Sequence, residues 1–304
     1  MDAMNLKLGI IGLSDGNGHP YSWSAIFNGY DPEAMELCGF PVIPRYLEQQ
    51  NWPASRINGA DVVVVWTQKE ELSQKIAKAA RIPRVVSTPE EMIGMVDAVL
   101  LARDDAENHL EFAAPFIKAG LPIYIDKPIA LSVSALDKLY ELEQYPGQIF
   151  TCSALRYSAE LMLTEEDRRE LGEIRKIVAF TPKSWSKYAV HIIEPVLNML
   201  PQGDEPVSGN ATTPASSEDD ASGTLLVGWR SGVQTAFFAT GDGLTPISVR
   251  VIGTKGYKDL NFTDSFSAFK AALEAFVGGI RNREVASPKT FNTLVVELLE
   301  RGKA

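Results

Sequence analysis

The sequence predicts an α/β protein with an N-terminal Rossmann-like domain, a doubly wound parallel sheet, and a C-terminal α+β domain with a mainly antiparallel sheet. Short apolar runs rich in β-branched residues alternate with helical patterns through the first 130 residues, which is typical of parallel strands buried on both faces. After Pro128, successive strand patterns are separated by tight turns, which favours antiparallel pairing. The 304 residues correspond to about two domains. We therefore predict domains at residues 1–127 and 128–304.

The N-terminal half carries four strand patterns with helix signals between them. The strand patterns cover residues 6–13, 61–66, 97–102 and 122–125. Leu72, Ile76 and Ala79 share one helical face, and residues 88–91 form a capping box with proline at the first helical position. A further helix is predicted over residues 108–119. Strands that alternate with helices pair in parallel through right-handed crossovers.

The C-terminal half has a different pattern, in which successive strands follow one another without a helix between each pair. A helix is predicted over residues 133–144, and closing helices over residues 265–280 and 291–300. Strands are predicted over residues 174–180, 223–229, 233–239, 247–252 and 257–262. The segment 201–222 is rich in Ser, Thr, Asp, Glu and Pro, so we expect an exposed loop there.

Composition limits the classes of partner. The chain has 39 acidic and 29 basic residues and a net charge of −10, which disfavours binding to nucleic acid or to anionic lipid. Two cysteines and three dispersed histidines offer neither a disulfide framework nor metal-ligand spacing, so no metal site is predicted. The N-terminus lacks the basic start of a signal peptide, and no apolar run approaches the roughly 20 residues of a membrane span. We expect a cytoplasmic protein.

A glycine-rich loop follows the first strand. It contains Gly12, Ser14, Asp15, Gly16, Asn17 and Gly18. A loop of this kind between a strand and a helix allows backbone N–H groups to approach a pyrophosphate, which predicts a dinucleotide site. Ser14 stands where the second glycine of the usual fingerprint belongs. The alternative is a turn stabilised by the Asp15 and Asn17 side chains.

The end of the second strand does not distinguish the two nicotinamide cofactors. Dinucleotide folds place an acid about 20 residues beyond the glycines to bind the ribose hydroxyls. Here the second strand ends much later, in Trp66, Thr67 and Gln68, after an inserted segment that includes residues 41–52. Neither an acid nor an arginine stands at that position. We therefore predict NAD or NADP.

A lysine follows the strand pattern at residues 122–125. Asp126, Lys127 and Pro128 resemble the Glu-Lys-Pro tripeptide of the Gfo/Idh/MocA family, which includes glucose–fructose oxidoreductase and inositol dehydrogenase. Residues 97–109 are similar to the family's strand-then-histidine segment. The resemblance extends over most of residues 6–200.

The resemblance implies a two-domain oxidoreductase with a nicotinamide cofactor on the first domain and a sugar or polyol substrate on the second. It implies that Lys127 contacts both, and that His109 anchors a loop near the cofactor. The predicted cofactor contacts are Gly12, Ser14, Asp15, Gly16, Asn17, Gly18, Thr67, Gln68, Arg103, Asp104, His109 and Lys127. Family members often pair subunits through an exposed sheet face, so a homo-oligomer is expected.

The resemblance also identifies a helix in the second domain. His191 matches the family's histidine and Glu194 its acid, but Lys187 occupies the aspartate position. Histidine suits proton exchange near neutral pH, so we predict a catalytic set of Lys127, His191 and Lys187. Two lysines would also suit an anionic substrate group.

Four further residues are predicted to contact substrate. They are Arg156, Tyr157, Trp185 and Tyr188. Core packing explains Trp185 and Tyr188 equally well. His19 could lie beside the phosphates or cap a helix, and the sequence does not choose between these roles.

Three functions remain open at this stage. The first is an NAD(P)-dependent oxidoreductase acting on a small, sugar-like substrate. The second is a binding protein that keeps the fold without turnover, which Ser14 and Lys187 favour because each alters a part of the expected machinery. The third uses the nicotinamide for another reaction, such as redox-assisted elimination.

Overall fold

The computed structural model describes residues 5–212 and 222–303, and within them two six-stranded sheets. All strands of the first sheet are parallel, in the order β3-β2-β1-β4-β5-β6. Its elements are β1 (Leu6–Ile11), α1 (His19–Asn28), α2 (Pro32–Glu36), α3 (Val42–Glu48), β2 (Ala60–Trp66), α4 (Glu70–Ala79), β3 (Arg84–Val85), β4 (Ala98–Leu101), α5 (His109–Lys118), β5 (Ile123–Ile125), α6 (Val133–Tyr140) and β6 (Ile149–Phe150). The predicted doubly wound fold is confirmed.

The position of β1 explains where a ligand can bind. β1 pairs with β2 on one side and with β4 on the other, so the chain reverses its winding direction between β1 and β4. In such sheets ligands bind beyond the carboxyl ends of the strands at this reversal. The strands β1 and β4 are almost wholly apolar and buried, which accounts for their clear signal in the sequence.

Local signals set several boundaries as predicted. The capping box of Thr88 and Glu91 forms, and proline takes the first helical position, but the helix that follows is a 3₁₀ turn, Pro89–Met92. The inserted segment forms the short helices α2 and α3, and the side chain of Asp31 caps α2 by accepting from the Ala34 N–H.

The second sheet has the order β12-β11-β7-β10-β9-β8. The sheet consists of two groups of antiparallel strands, β8–β9–β10 and β7–β11–β12. The parallel pairing of β10 with β7 joins these two groups. The helices and strands that follow β6 along the chain are α7 (Glu165–Leu171), β7 (Ile174–Thr181), α8 (Trp185–Tyr188), α9 (Val190–Met199), β8 (Pro206–Thr212), β9 (Gly223–Trp229), β10 (Gln234–Ala239), β11 (Ser248–Gly253), β12 (Tyr257–Asn261), α10 (Ser265–Asn282) and α11 (Lys289–Arg301). The prediction of a mainly antiparallel sheet is confirmed.

The expectation of an exposed loop over residues 201–222 is wrong for residues 206–212. They form the edge strand β8, which pairs with β9. The polar composition misled because one face of an edge strand is solvated, and Val207 is indeed exposed. Residues 213–221 lie outside the described part of the chain.

The chain divides into two compact units. The first comprises residues 1–130, 135–151 and 273–289, and the second comprises residues 131–134, 152–272 and 290–304. The first unit extends beyond residue 127 because β6 adds a sixth strand beside β5. The predicted boundary after residue 127 stays a prediction. Among the described residues, the structure holds no helix that combines the length and the apolar character needed to cross a membrane.

Candidate functional site

The glycine loop of the first unit is tied to the strands beside β1. Gln68, after β2, donates to the Leu13 carbonyl at 2.6 Å and accepts from the Leu13 N–H at 3.0 Å. Ser14 donates its hydroxyl to Asp104, after β4, at 2.7 Å, and accepts from the Asp104 N–H at 3.0 Å. Three loops at the carboxyl edge of the sheet are therefore joined by hydrogen bonds, each of which involves at least one predicted site residue.

The same loop is tied to the residue before Lys127. One oxygen of Asp126 accepts from the Asn17 amide at 2.9 Å and lies 2.6 Å from His19 Nδ1. The other oxygen accepts from the Lys127 N–H at 2.8 Å. The structure thus brings the glycine loop and Lys127 together at one edge of the sheet.

Asp126 is a buried carboxylate whose negative charge is stabilised by the residues around it. Burial alone would raise its pKa, but the charge and hydrogen bond of His19, the charge of Lys127 and the hydrogen bond of Asn17 together lower it to about 2. The Lys127 amine is buried and lies 3.8 Å from Asp104 Oδ2. A buried amine held beside a carboxylate can orient and polarise a substrate oxygen.

Arg103 and His109 stabilise the loop after β4. Arg103 holds Asp105 through two hydrogen bonds of 2.6 and 3.0 Å and reaches the Leu13 carbonyl at 3.2 Å. His109 is fully buried, and its two ring nitrogens lie 3.0 Å from the Ile129 carbonyl and 2.8 Å from the Arg103 carbonyl. These contacts support the interpretation of His109 as a loop anchor.

Thr67 performs a local structural role. Its N–H donates to Ser73 Oγ at 2.8 Å, and its hydroxyl donates to the Lys69 carbonyl at 2.8 Å. These bonds form the turn from β2 into α4. Its predicted contact with a cofactor stays a prediction.

Glycine stands at three positions of the loop for different physical reasons. A Cβ on Gly12 would lie 2.4 Å from Pro20 of α1, and one on Gly18 would lie 2.6 Å from Ile43 of the inserted segment. Packing therefore requires glycine at both positions. Gly16 differs because it has a φ of +75° and a Cβ there would meet no atom within 4 Å.

These residues fit a dinucleotide at the exposed tip of the loop. Phosphate oxygens need N–H donors and positive charge. At the start of α1 the N–H of His19 already donates to Asn17, the N–H groups of Tyr21 and Ser22 donate to the Gly18 carbonyl, and Pro20 has none. The open backbone at Gly16, with the cations of Arg103 and Lys127 at the same edge, would hold the group instead.

The second unit carries its own polar cluster. Ser153 Oγ lies 2.8 Å from His191 Nδ1, and the Ser153 N–H donates to Glu194 Oε1 at 2.9 Å. Glu194 Oε2 and Arg156 Nη1 are buried and have no hydrogen-bond partner within the described residues. Burial raises the pKa of Glu194 to about 7, against the opposing charge of Arg156. This carboxyl can exchange a proton near neutral pH.

The predicted substrate residues fall into two groups. Arg156 lies over the rings of Phe291 and Tyr157, at 4.1 and 5.6 Å from their centroids, and burial raises the pKa of Tyr157. The ring of Tyr188 meets His191 edge-on at 5.3 Å. These residues lie in or beside the polar cluster of the second unit.

Trp185 belongs to the core. It is buried, its indole N–H donates to the Leu299 carbonyl at 2.8 Å, and a Cβ on Gly302 would collide with its ring. Packing therefore accounts for Trp185. Lys187 is half-buried on α8, and its predicted catalytic role stays a prediction.

Sequence reasoning missed two contributors, Ser153 and Asp126. Asp126 stands in the family-like tripeptide, so its position was a usable signal. Nothing near Ser153 in the sequence indicates its contact with His191, which is 38 residues away.

Comparison with known proteins supports the family resemblance. Residues 38–153 match the Gfo/Idh/MocA model, which is described as an oxidoreductase family with an NAD-binding Rossmann fold. Inositol 2-dehydrogenase 2 of Saccharopolyspora erythraea is 35% identical over 94 residues, which are 30% of this chain and 27% of that protein. The chain spans less than a third of the curated relatives it matches. The predicted resemblance is confirmed for residues 38–153.

Solved structures share the fold. Scyllo-inositol dehydrogenase from Lactobacillus casei, solved with bound NAD(H) and scyllo-inositol, superposes with a TM-score of 0.71 at 15% identity, covering 98% of this chain and 96% of that one. Myo-inositol 2-dehydrogenase from Lactobacillus plantarum gives a TM-score of 0.70 at 15% identity, covering 97% and 95%. At this identity the likeness establishes the architecture of both units.

Proposed function

We propose that this chain, in which residues 38–153 match the Gfo/Idh/MocA family, is an NAD(P)-dependent oxidoreductase that transfers a hydride between nicotinamide and a carbinol carbon of a sugar-like or polyol substrate. The observation that carries the proposal is the buried amine of Lys127 at the same carboxyl edge as the glycine loop. The inositol dehydrogenase names among its relatives support the substrate class.

Different residues of the chain would perform the separate steps of this reaction. When bound, the nicotinamide supplies the hydride acceptor or donor. The open tip at Gly16, with Arg103, would hold the phosphates. Lys127 would orient and polarise the substrate oxygen, because its amine is fixed beside Asp104. His191, with Lys187 as a second cation, stays the predicted partner for proton exchange.

A catalytically inactive ligand-binding protein is the second candidate. The commitment of Ser14 to Asp104 favours it, because the loop position that normally approaches the pyrophosphate is used inside the protein. The same fold would then serve as a sensor or a partner subunit.

Titration with NADH and NADPH by fluorescence, followed by a polyol and sugar panel monitored at the reduced nicotinamide absorbance, tests the proposal. We expect binding of at least one cofactor and turnover of a polyol. Lys127→Ala is expected to lower kcat/KM by about 10²–10³-fold, the typical effect of removing one stabilising donor.

Lys138→Ala, on the exposed face of α6, is the matched control and is expected to retain wild-type turnover. Failure of both cofactors to bind at millimolar concentration would contradict the proposal and favour the inactive protein. Unchanged turnover in Lys127→Ala would remove the lysine from the mechanism.

A further inference from the structure

We propose that Lys183 and Tyr188 form a subsite beside His191 that binds an anionic oxygen of the substrate, so that the substrate is an acidic or phosphorylated sugar or polyol. All three residues lie in the second unit. The inference rests on the proposed function, because it takes His191 as the residue that exchanges the proton of the reacting carbinol. It adds Lys183, which the sequence did not single out, and it narrows the substrate class.

The first support is the backbone of Lys183. Its φ is +65°, in the left-handed region that is unfavourable for a residue with a Cβ. Within the described residues, Arg81 and Arg283 also have a positive φ, but they lie just beyond the ends of α4 and α10, where a left-handed residue commonly ends a helix. Lys183 lies between β7 and α8, so no helix end accounts for its conformation.

The conformation of Lys183 is held by Gly241, which lies beyond the end of β10. The Lys183 N–H donates to the Gly241 carbonyl at 2.8 Å, and the Gly241 N–H donates to the Lys183 carbonyl at 3.0 Å. These two bonds fix the backbone from which the lysine side chain extends. Strain of this kind persists only where the surrounding structure imposes it, and it clusters at ligand-binding and catalytic sites.

The second support is the contact between the two side chains. The Lys183 amine donates to the Tyr188 hydroxyl at 2.6 Å and lies 4.5 Å from the centroid of the tyrosine ring. The Tyr188 ring meets the His191 ring edge-on, with centroids 5.3 Å apart. Lys183 is exposed, and Tyr188 and His191 are half-buried. A substrate whose carbinol lies at His191 would therefore reach the pair with a substituent a few bonds away.

The third support is the charge of the pair and its hydrogen-bonding groups. A lysine ammonium has three N–H donors and no acceptor, and a tyrosine hydroxyl is a donor as well as an acceptor. One ammonium N–H is used for Tyr188, and within the described residues Lys183 forms no ion pair with a carboxylate. The pair thus presents a positive charge with its donors. A carboxylate or phosphate oxygen forms a stronger hydrogen bond to such a group than a neutral hydroxyl does.

Calorimetric titration of matched neutral and anionic compounds into the whole chain tests the subsite without requiring turnover. The pairs are myo-inositol with myo-inositol 1-phosphate, and sorbitol with gluconate, so that the two arms distinguish a phosphate from a carboxylate. We expect the anionic member of at least one pair to bind about 10–100-fold more tightly than the neutral member, the effect of one hydrogen bond to a charged group.

Lys183→Met is the decisive variant, because it removes the ammonium and keeps a side chain of similar length. We expect it to abolish the preference for the anion, with the affinity for the neutral member unchanged within about twofold. Lys183→Arg keeps the charge and is expected to keep the preference. Lys255→Met, at an exposed lysine in the turn between β11 and β12, is the matched control and is expected to bind all four compounds as the wild-type chain does.

Equal affinities within both pairs, no binding of any of the four compounds, or a preference that persists in Lys183→Met would overturn the inference. An equal loss for neutral and anionic compounds in Lys183→Met would show that the lysine only supports Tyr188, and would overturn it too. Failure of NADH and NADPH to bind refutes the proposed function instead. An anion preference that Lys183→Met removes would still support the subsite in that case.

Discussion

Two buried carboxylates, Asp126 in the first unit and Glu194 in the second, experience opposite environments. Asp126 accepts hydrogen bonds at both oxygens and faces the charges of His19 and Lys127, and its pKa is lowered to about 2. Glu194 accepts one backbone hydrogen bond at Oε1, and its Oε2 has no hydrogen-bond partner within the described residues. Burial then dominates and raises its pKa to about 7.

The difference shows that burial does not by itself fix the charge of a carboxyl group. The cost of removing the charge from water is similar in kind at both sites, and the number of donors and cations around the oxygens decides the outcome. The first unit therefore holds a permanent negative charge beside Lys127. The second unit holds a carboxyl group that titrates in the physiological range.

Asp126→Asn should give the largest loss of stability. The neutral amide leaves His19 and Lys127 without their buried anion, and we expect the free energy of unfolding at pH 7 to fall by about 3 kcal/mol. Because the folded-state pKa is lowered, the contribution of Asp126 is present above about pH 3.8 and is lost as the pH falls towards 2. Urea unfolding at pH 7 and pH 3 measures both effects.

Asp137→Asn, on the exposed face of α6, is the matched control for that experiment and should change the free energy of unfolding by less than about 0.5 kcal/mol. If Asp126→Asn and Asp137→Asn lowered the free energy of unfolding equally, the buried charge of Asp126 would not stabilise the fold.

Glu194→Gln should act mainly on the pH dependence. Since the folded-state pKa of Glu194 is raised, its contribution to stability is fully present below its ordinary pKa of 4.5 and is lost as the pH rises through about 7. We expect the wild-type chain to lose on the order of 2 kcal/mol more than Glu194→Gln between pH 5 and pH 8.

Urea unfolding series at several pH values measure that slope, and Glu166→Gln on the exposed start of α7 is the control with an unchanged slope. A Glu194→Gln variant that keeps the wild-type slope would show that Glu194 is ionised in the fold, like Asp126.

Ser14→Ala and Ser153→Ala should give the smallest effects. Each removes a side-chain hydroxyl that joins two distant parts of one unit, Ser14 with Asp104 and Ser153 with His191. We expect each to lower the free energy of unfolding by about 1 kcal/mol. Ser267→Ala on α10 is the surface control, and urea unfolding of all three at pH 7 makes the comparison. If only one of the two variants is less stable than the wild-type chain, only that serine's hydrogen bond contributes to the free energy of unfolding.

The sequence predicted most elements because their signals are local. Four apolar runs predicted β1, β2, β4 and β5, and their alternation with helices predicted parallel pairing. The strand β6 has only two residues, too few for a periodic signal, and β8 is masked by its polar, solvated face. The parallel pairing of β10 with β7 joins residues that no turn connects, so no local pattern indicated it.

The candidate site divides in the same way. Lys127 and the glycine loop could be selected from the sequence, because the residue types and their places after strands are local properties. The contact of His19 with Asp126 joins residues 107 positions apart, and that of Ser153 with His191 joins residues 38 positions apart.

By itself, then, the sequence determined the fold class, the order of the apolar strands along the chain and the placement of Lys127 at the sheet edge. Only the tertiary structure decided which buried carboxyl group keeps its charge and which histidine lies beside it. The physical reason is that hydrophobic periodicity is set by neighbours in the chain, whereas the charge state of a buried group depends on donors and cations that folding brings from other parts of the chain.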